Sequence, residues 1–164
     1  MILSALFGFA AMAQDAAQTE TELTSEEKTA IIREFSRTAQ MDGIILNFVL
    51  LNNKTVDLLF AGSGKYAMRA RANAATIFYV QGTPEKDIKL DPQFVVEQGG
   101  KSFKGKAINM KNLEAGSVPK GSQISGLVQL AEKIDVTQPF VIKGTGDAEA
   151  EFKLSEKAIG LMAN

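Results

Sequence analysis

From Thr29 onward the chain breaks into short apolar runs separated by clusters of Gly, Asn, Asp, Pro and Lys. Strands that must turn back after a few residues need such punctuation, and it is the signature of an all-β domain. Gly43 to Leu51 (GIILNFVLL) is almost continuously apolar, which suits a central strand buried on both faces, and it stops at the turn residues Asn52, Asn53 and Lys54. Thr55 to Phe60 (TVDLLF) reads as its hairpin partner. Ala75 to Val80 (ATIFYV) is dense in β-branched and aromatic residues and ends at Gln81, Gly82, Thr83 and Pro84. Gln93 to Glu97 and Lys101 to Met110 form a hairpin about Gly99 and Gly100, and two more strands run through Ile124 to Leu130 and Phe140 to Ile142. In Asp147 to Leu154 the residues Ala148, Ala150, Phe152 and Leu154 alternate with charged ones, the period of a half-buried strand whose charged side guards against edge pairing. Thr29 to Ala39 is read as a first strand, with a short helix nearly as compatible. Lys65 to Ala72 (KYAMRARA) favours helix by composition and strand by its neighbours.

Roughly eight or nine such strands, with a turn about every ten residues, predict an antiparallel sandwich or small barrel, and the expectation is a sandwich. A parallel sheet would need long helical crossovers. The 164 residues suit one domain, and 45% hydrophobic with 23% charged residues is the composition of a folded chain.

The N-terminus bears on the address. Ile2 to Ala10 is apolar, Ala11-Met12-Ala13 is a small-x-small triplet, and polar Gln14 and Asp15 follow. This is the pattern of a cleavable signal peptide over residues 1–13, although no Lys or Arg precedes the apolar run. The alternative is a short buried helix. Residues 14–28 read as an acidic flexible leader, in which Thr24 or Ser25 with Glu27 has the form of a helix cap. The expected domain covers residues 29–158, and 159–164 form a tail.

Pro119, Gly121, Gly126, Val128 and Leu130, followed by Phe140, Ile142, Phe152 and Leu154, place a Pro-x-Gly turn before a Gly-x-Val-x-Leu strand and a final hairpin. In this order the chain resembles bacterial exported immunoglobulin-like accessory domains, in outline from Ile44 and most closely from Phe94 to Leu154. The resemblance implies an immunoglobulin-like antiparallel β-sandwich and a periplasmic or extracellular address. The matching residues are scaffold residues, and such domains share no catalytic residues to carry over.

Several chemistries are closed by composition. Without Cys there is no disulfide, thiolate nucleophile or Cys-ligated metal, and without His the usual base near neutral pH is missing. A formal net charge of -1 offers no general attraction for nucleic acid. Ala61-Gly62-Ser63-Gly64-Lys65 follows an expected strand, but the phosphate-loop pattern needs Gly where Leu59 stands and Ser or Thr where Tyr66 stands. Lys101, Lys104, Lys106, Lys111 and Lys120 form a basic segment with Glu114 and Phe103, suited either to an anionic partner or to protecting a strand from aggregation. Arg69 and Arg71 would share one face of a strand, beside Tyr66 or Tyr79. Asp42, Asp57, Asp87, Asp91 and Asp135 stand among turn formers, with no calcium-loop spacing. Asn53-Lys54-Thr55 matches a glycosylation sequon at a tight turn. The expectation is a non-catalytic exported domain with no catalytic, cofactor-binding or metal-binding residues. It acts as a binding, adaptor or envelope-structural protein through a protein partner in the cell envelope, without nucleic acid and without a membrane span after cleavage. A small-ligand or lipid carrier, or a carboxylate hydrolase, is the alternative.

Overall fold

The computed structural model describes residues 23–41, 43–89, 93–111, 116–144 and 148–163. The expected signal peptide, most of the acidic leader, and Asp42, Asp91 and Glu114 lie outside the described residues. The leader gives way to helix at Thr24. Its hydroxyl accepts from the Glu27 amide at 3.2 Å, and the Glu27 carboxylate accepts from the Thr24 amide at 2.7 Å. This reciprocal cap opens α1 (Ser25–Glu34), so the strand expected over Thr29 to Ala39 is split. Its first half is helix, turning Ile31 and Ile32 toward the core, and its second half is β1 (Ser36–Met41). β2 (Ile44–Leu50) follows where expected, but it is not buried on both faces, since Ile45 is exposed and Asn47 half-buried on its outer side.

The next segment departs from the sequence reading. Asn52, Asn53 and Lys54 are not a hairpin turn. The Asn52 side chain accepts from the Thr55 amide at 3.1 Å, Thr55 Oγ1 accepts from the Asn52 amide at 2.9 Å, and α2 (Asn53–Leu59) begins. Val56, Leu59 and Phe60 are therefore spaced for one side of a helix, not for the hairpin strand expected over Thr55 to Phe60. α3 (Gly62–Ala74) resolves the ambiguous stretch as helix, with Met68 and Ala72 turned inward. β3 (Ile77–Gly82), β4 (Ile88–Lys89), β5 (Phe94–Gln98), β6 (Lys101–Lys111), β7 (Ser117–Val118), β8 (Ile124–Leu130), β9 (Phe140–Lys143) and β10 (Glu149–Phe152) complete the strands. Of the tail expected over 159–164, residues 159–163 belong to α4 (Glu156–Ala163).

The chain is mostly β, as expected, but the long strands form one sheet. Its order is β1-β2-β3-β8-β6-β5-β9-β10, every neighbouring pair is antiparallel, and β4 pairs with β7 separately. The edge strands β1 and β10 lie alongside each other with Cα atoms within 8 Å but share no ladder, so the sheet curls into a nearly closed barrel. Alternate residues point inward: Phe48 and Leu50 from β2, Phe78 and Val80 from β3, Phe94 from β5, Phe140 from β9 and Phe152 from β10 are all buried. Phe140 stacks on Phe152 at 4.9 Å, Phe78 lies 5.5 Å from Phe152, and Phe48 meets Phe94 edge-on at 5.8 Å. An eight-stranded barrel has an interior that side chains of this size fill. Each buried Phe contributes about 1.5–3 kcal/mol.

Both ends are covered. Where β1 starts and β10 finishes, α1 and α4 bring Ile31, Ile32, Ile159 and Leu161 against the core. At the other end β4 and β7 insert Ile88 and Val118, held by the Glu85 amide donating to Gly43 O at 2.8 Å and the Gly121 amide to Pro84 O at 2.9 Å. Outside the barrel, Val56 and Ala72 of α2 and α3 pack with Ile77 of β3 and Leu127 of β8 in a second apolar cluster.

The seam between β1 and β10 is bridged by a side chain. Arg37 Nη2 donates to Lys153 O at 2.8 Å, Nη1 donates to Ser36 O at 2.6 Å, and Cζ lies 5.6 Å from the centre of the Phe152 ring. Beside it the Glu34 carboxylate accepts from Ser155 Oγ at 2.8 Å and pairs with Lys157 at 3.4 Å. Ser155 Oγ in turn accepts from the Ala158 amide at 3.1 Å, which caps α4.

Candidate functional surface

With the interior filled, the candidate groups lie on the outside, and the structure disperses most of those singled out from sequence. The basic segment is not one cluster. Lys104 and Lys106 stand exposed on the outer face of β6, opposite Val95 and Gln129, whereas Lys120 belongs to the turn after β7, where its amide donates to Asp87 Oδ1 at 2.8 Å. Lys101 opens β6 and Lys111 closes it. Arg69 and Arg71 do not share a strand face. Arg69 donates through Nε and Nη2 to the two carboxylate oxygens of Asp57 of α2, which also holds Lys65 at 3.2 Å, and Arg71 is exposed on α3. Tyr66 is 70% exposed on α3, while Tyr79 meets Phe60 edge-on at 6.3 Å.

The glycine-rich stretch before Lys65 is the first turn of α3, and its lysine is taken up by Asp57. The carboxylates serve the scaffold. Asp135 accepts from the Thr137 amide and hydroxyl at 3.0 and 2.6 Å, which hold it below the ordinary carboxylate range. Among the described residues no group of three or more Asp or Glu side chains is placed to hold a metal ion. In the sequon, Asn53 is exposed but Thr55 is fully buried, its hydroxyl donating to Leu50 O at 2.9 Å.

The barrel's outer surface divides into three. α2 and α3 cover the lower part of β3 and β8. The side formed by β6, β5, β9 and β10 is charged: Lys143 lies 2.8 Å from Glu97 and 3.3 Å from Glu149, whose carboxylates hold its ammonium above the ordinary lysine value. An open cleft of about 340 Å³ beside it is lined by Glu97, Lys101, Ser102, Phe140, Val141 and Glu151.

The third side carries uncharged polar side chains on its strands, bounded by Lys111 of β6, which stands opposite Ser125, and by Arg33 of α1 and Arg37 of β1. Register places Thr38 of β1 against Asn47 of β2, Asn47 against Gln81 of β3, and Gln81 against Ser125 of β8. Four hydrogen-bonding, uncharged side chains thus form one continuous row across four strands. A second row begins with Gln40 against Ile45, and Ile45 is 54% exposed. The first row runs into a groove of about 460 Å³ between α1 and β1, lined by Thr29, Ile32, Arg33, Ser36, Arg37, Thr38 and Asn47. Sequence reasoning missed this surface because its members come from four strands and carry no local motif. The one local sign was Asn47, a lone polar residue inside the apolar run of β2.

No protein family model, curated protein or solved structure matches the chain.

Proposed function

We propose that this chain is a non-catalytic exported domain that works through its outer surface, as a binding, adaptor or envelope-structural protein engaging a protein partner. The filled barrel carries this reading. Five phenylalanines meet across the interior at centroid distances of 4.9 to 5.9 Å, so the space a carried ligand needs is occupied by side chains. The described carboxylates, each committed to a turn or an ion pair or standing exposed, argue against a hydrolase. Export rests on the pattern of residues 2–13, and no described helix is long and apolar enough to cross a membrane. The likeness to immunoglobulin-like accessory domains rests on Phe94 to Leu154, whose strands β8, β6, β5, β9 and β10 are consecutive antiparallel neighbours in the sheet.

The test is capture from envelope extracts with residues 14–164 as bait, with eluted proteins and lipids identified by mass spectrometry and contacts mapped by cross-linking. A stoichiometric protein cross-linked to the outer strands is the expected result. Lipid or a small molecule eluting without protein makes the chain a carrier instead.

A further inference from the structure

We propose that Glu34 is an acid-released latch: its carboxylate holds α4 over the end of the barrel, and its protonation lets α4 lift while the sheet stays folded. The inference concerns conformation and does not rest on the partner reading. Two side chains from the junction of α1 and β1 reach across the open seam, and they hold different things. Arg37 grips the end of β10 through Lys153 O and the Phe152 ring. Glu34 grips the start of α4, accepting from Ser155 Oγ at 2.8 Å and pairing with Lys157 at 3.4 Å. An arginine keeps its charge throughout the acid range, whereas a carboxylate does not. Only the second hold can be released by acid.

Three features make α4 the element that responds. With eight residues it is too short to persist as an isolated helix, so it stays folded only while Ala158, which is fully buried, and Ile159 and Leu161 pack on the core. The Ser155 hydroxyl serves latch and cap at once, donating to Glu34 while accepting from the Ala158 amide at 3.1 Å, so weakening one loosens the other. Glu34 closes α1, where the helix dipole disfavours an anion, and stands at the start of α4, where that helix's dipole favours one. Its charge therefore works between helices rather than within its own. The Ser155 hydrogen bond and the charges of Lys157 and Arg37 outweigh partial burial and hold the Glu34 carboxyl below its ordinary value. A carboxyl depressed in this way contributes stability that is complete above its unfolded value, about 4.3, and is lost as pH falls through the folded one. Of the other charged groups on the elements around it, Arg33 of α1, Lys54 of α2 and Lys153 after β10 keep their charge in acid, Asp57 of α2 is held by Arg69 and Lys65, and Glu151 and Glu156 stand exposed. Lifting α4 uncovers apolar side chains at the barrel end, so the latch couples acidity to a change of surface.

The chain has no Cys, so single cysteines report opening without interference. Ala158→Cys on α4 and Val128→Cys on β8 each place a thiol at a fully buried position. Glu34→Gln keeps the shape of the protonated group. At neutral pH it is expected to speed thiol labelling at position 158 at least about threefold, through the loss of one partly exposed ion pair and its charge-assisted hydrogen bond, and to leave position 128 unchanged. Hydrogen exchange on the full chain without added cysteines is the second measurement. Between neutral pH and about pH 4, protection of the α4 amides, corrected for intrinsic exchange, is expected to fall relative to β3 and β8 in the wild type and in Glu156→Gln but not in Glu34→Gln. Equal labelling at position 158 with and without Glu34→Gln overturns the proposal. So does faster labelling at both positions alike, which means loosening of the whole fold, and so does a relative fall in acid that persists in Glu34→Gln or is lost in Glu156→Gln.

Discussion

Two glycines show how closely the barrel wall is drawn. Gly82 faces inward on β3, where a Cβ would stand 2.6 Å from Ile45 O and 2.9 Å from Leu46 Cδ2. Gly105 faces inward on β6, where a Cβ would stand 2.7 Å from Val128 Cγ1. Neither backbone needs a left-handed conformation, so the requirement is for space alone. Gly82→Ala and Gly105→Ala are each expected to destabilise the fold by about 1–3 kcal/mol in urea unfolding, Gly82→Ala the more because its nearest obstacle is a backbone oxygen. An unchanged midpoint for both would mean the wall is looser than these distances indicate. From sequence Gly82 reads as a turn residue and Gly105 as an ordinary strand position. Only the register that sets Gly82 against Leu46 and Gly105 against Phe94 gives either its role.

Between elements, the pairing of α2 with α3 depends on Asp57. Partial burial pushes its carboxyl up, but hydrogen bonds and charge from Arg69 and Lys65 outweigh that and hold it below its ordinary value. A carboxyl whose folded pKa is depressed contributes stability that is complete above its unfolded value, about 3.9, and is lost as pH falls through the folded value. Asp57→Asn is therefore expected to cost about 1 kcal/mol at neutral pH, a modest figure because all three partners remain partly in water. The difference from wild type should vanish in acid, where Asp57 itself is protonated. Urea midpoints measured at both conditions check this, and a cost independent of pH would assign it to packing rather than to the ion pair. A second element-level effect is the cap on α2: Asn52→Ala removes the acceptor for the Thr55 amide and is expected to cost about 1 kcal/mol.

At the scale of the molecule, the barrel is closed by ladders everywhere except between β1 and β10, where the Arg37 guanidinium stands in for main-chain pairing. Amide hydrogen exchange is expected to be faster in β1 and β10 than in β3 and β8, which are paired on both sides. Arg37→Ala should widen that gap while leaving β3 and β8 protected, and uniform exchange across all strands would show the seam to be as firm as the rest. Sequence alone determined the positions of β2, β3, β5, β6, β8, β9 and β10, because alternation, β-branched runs and turn glycines act over a few residues and leave a local trace. It also determined the inward side of β10, with Ala150 and Phe152, and the lack of Cys and His chemistry. Helix α3 was legible only as one of two readings of Lys65 to Ala72, and α2 was not legible, since a run as short as Val56, Leu59 and Phe60 satisfies strand and helix patterns alike until an outer apolar cluster selects one. Whether the strands would form two stacked sheets or one curled sheet was decided only in three dimensions: both use the same alternation, and the outcome turns on the two edge strands meeting at Arg37 and Phe152. The outer polar row likewise exists only through register, which brings Thr38, Asn47, Gln81 and Ser125 together although up to 87 positions separate them along the chain.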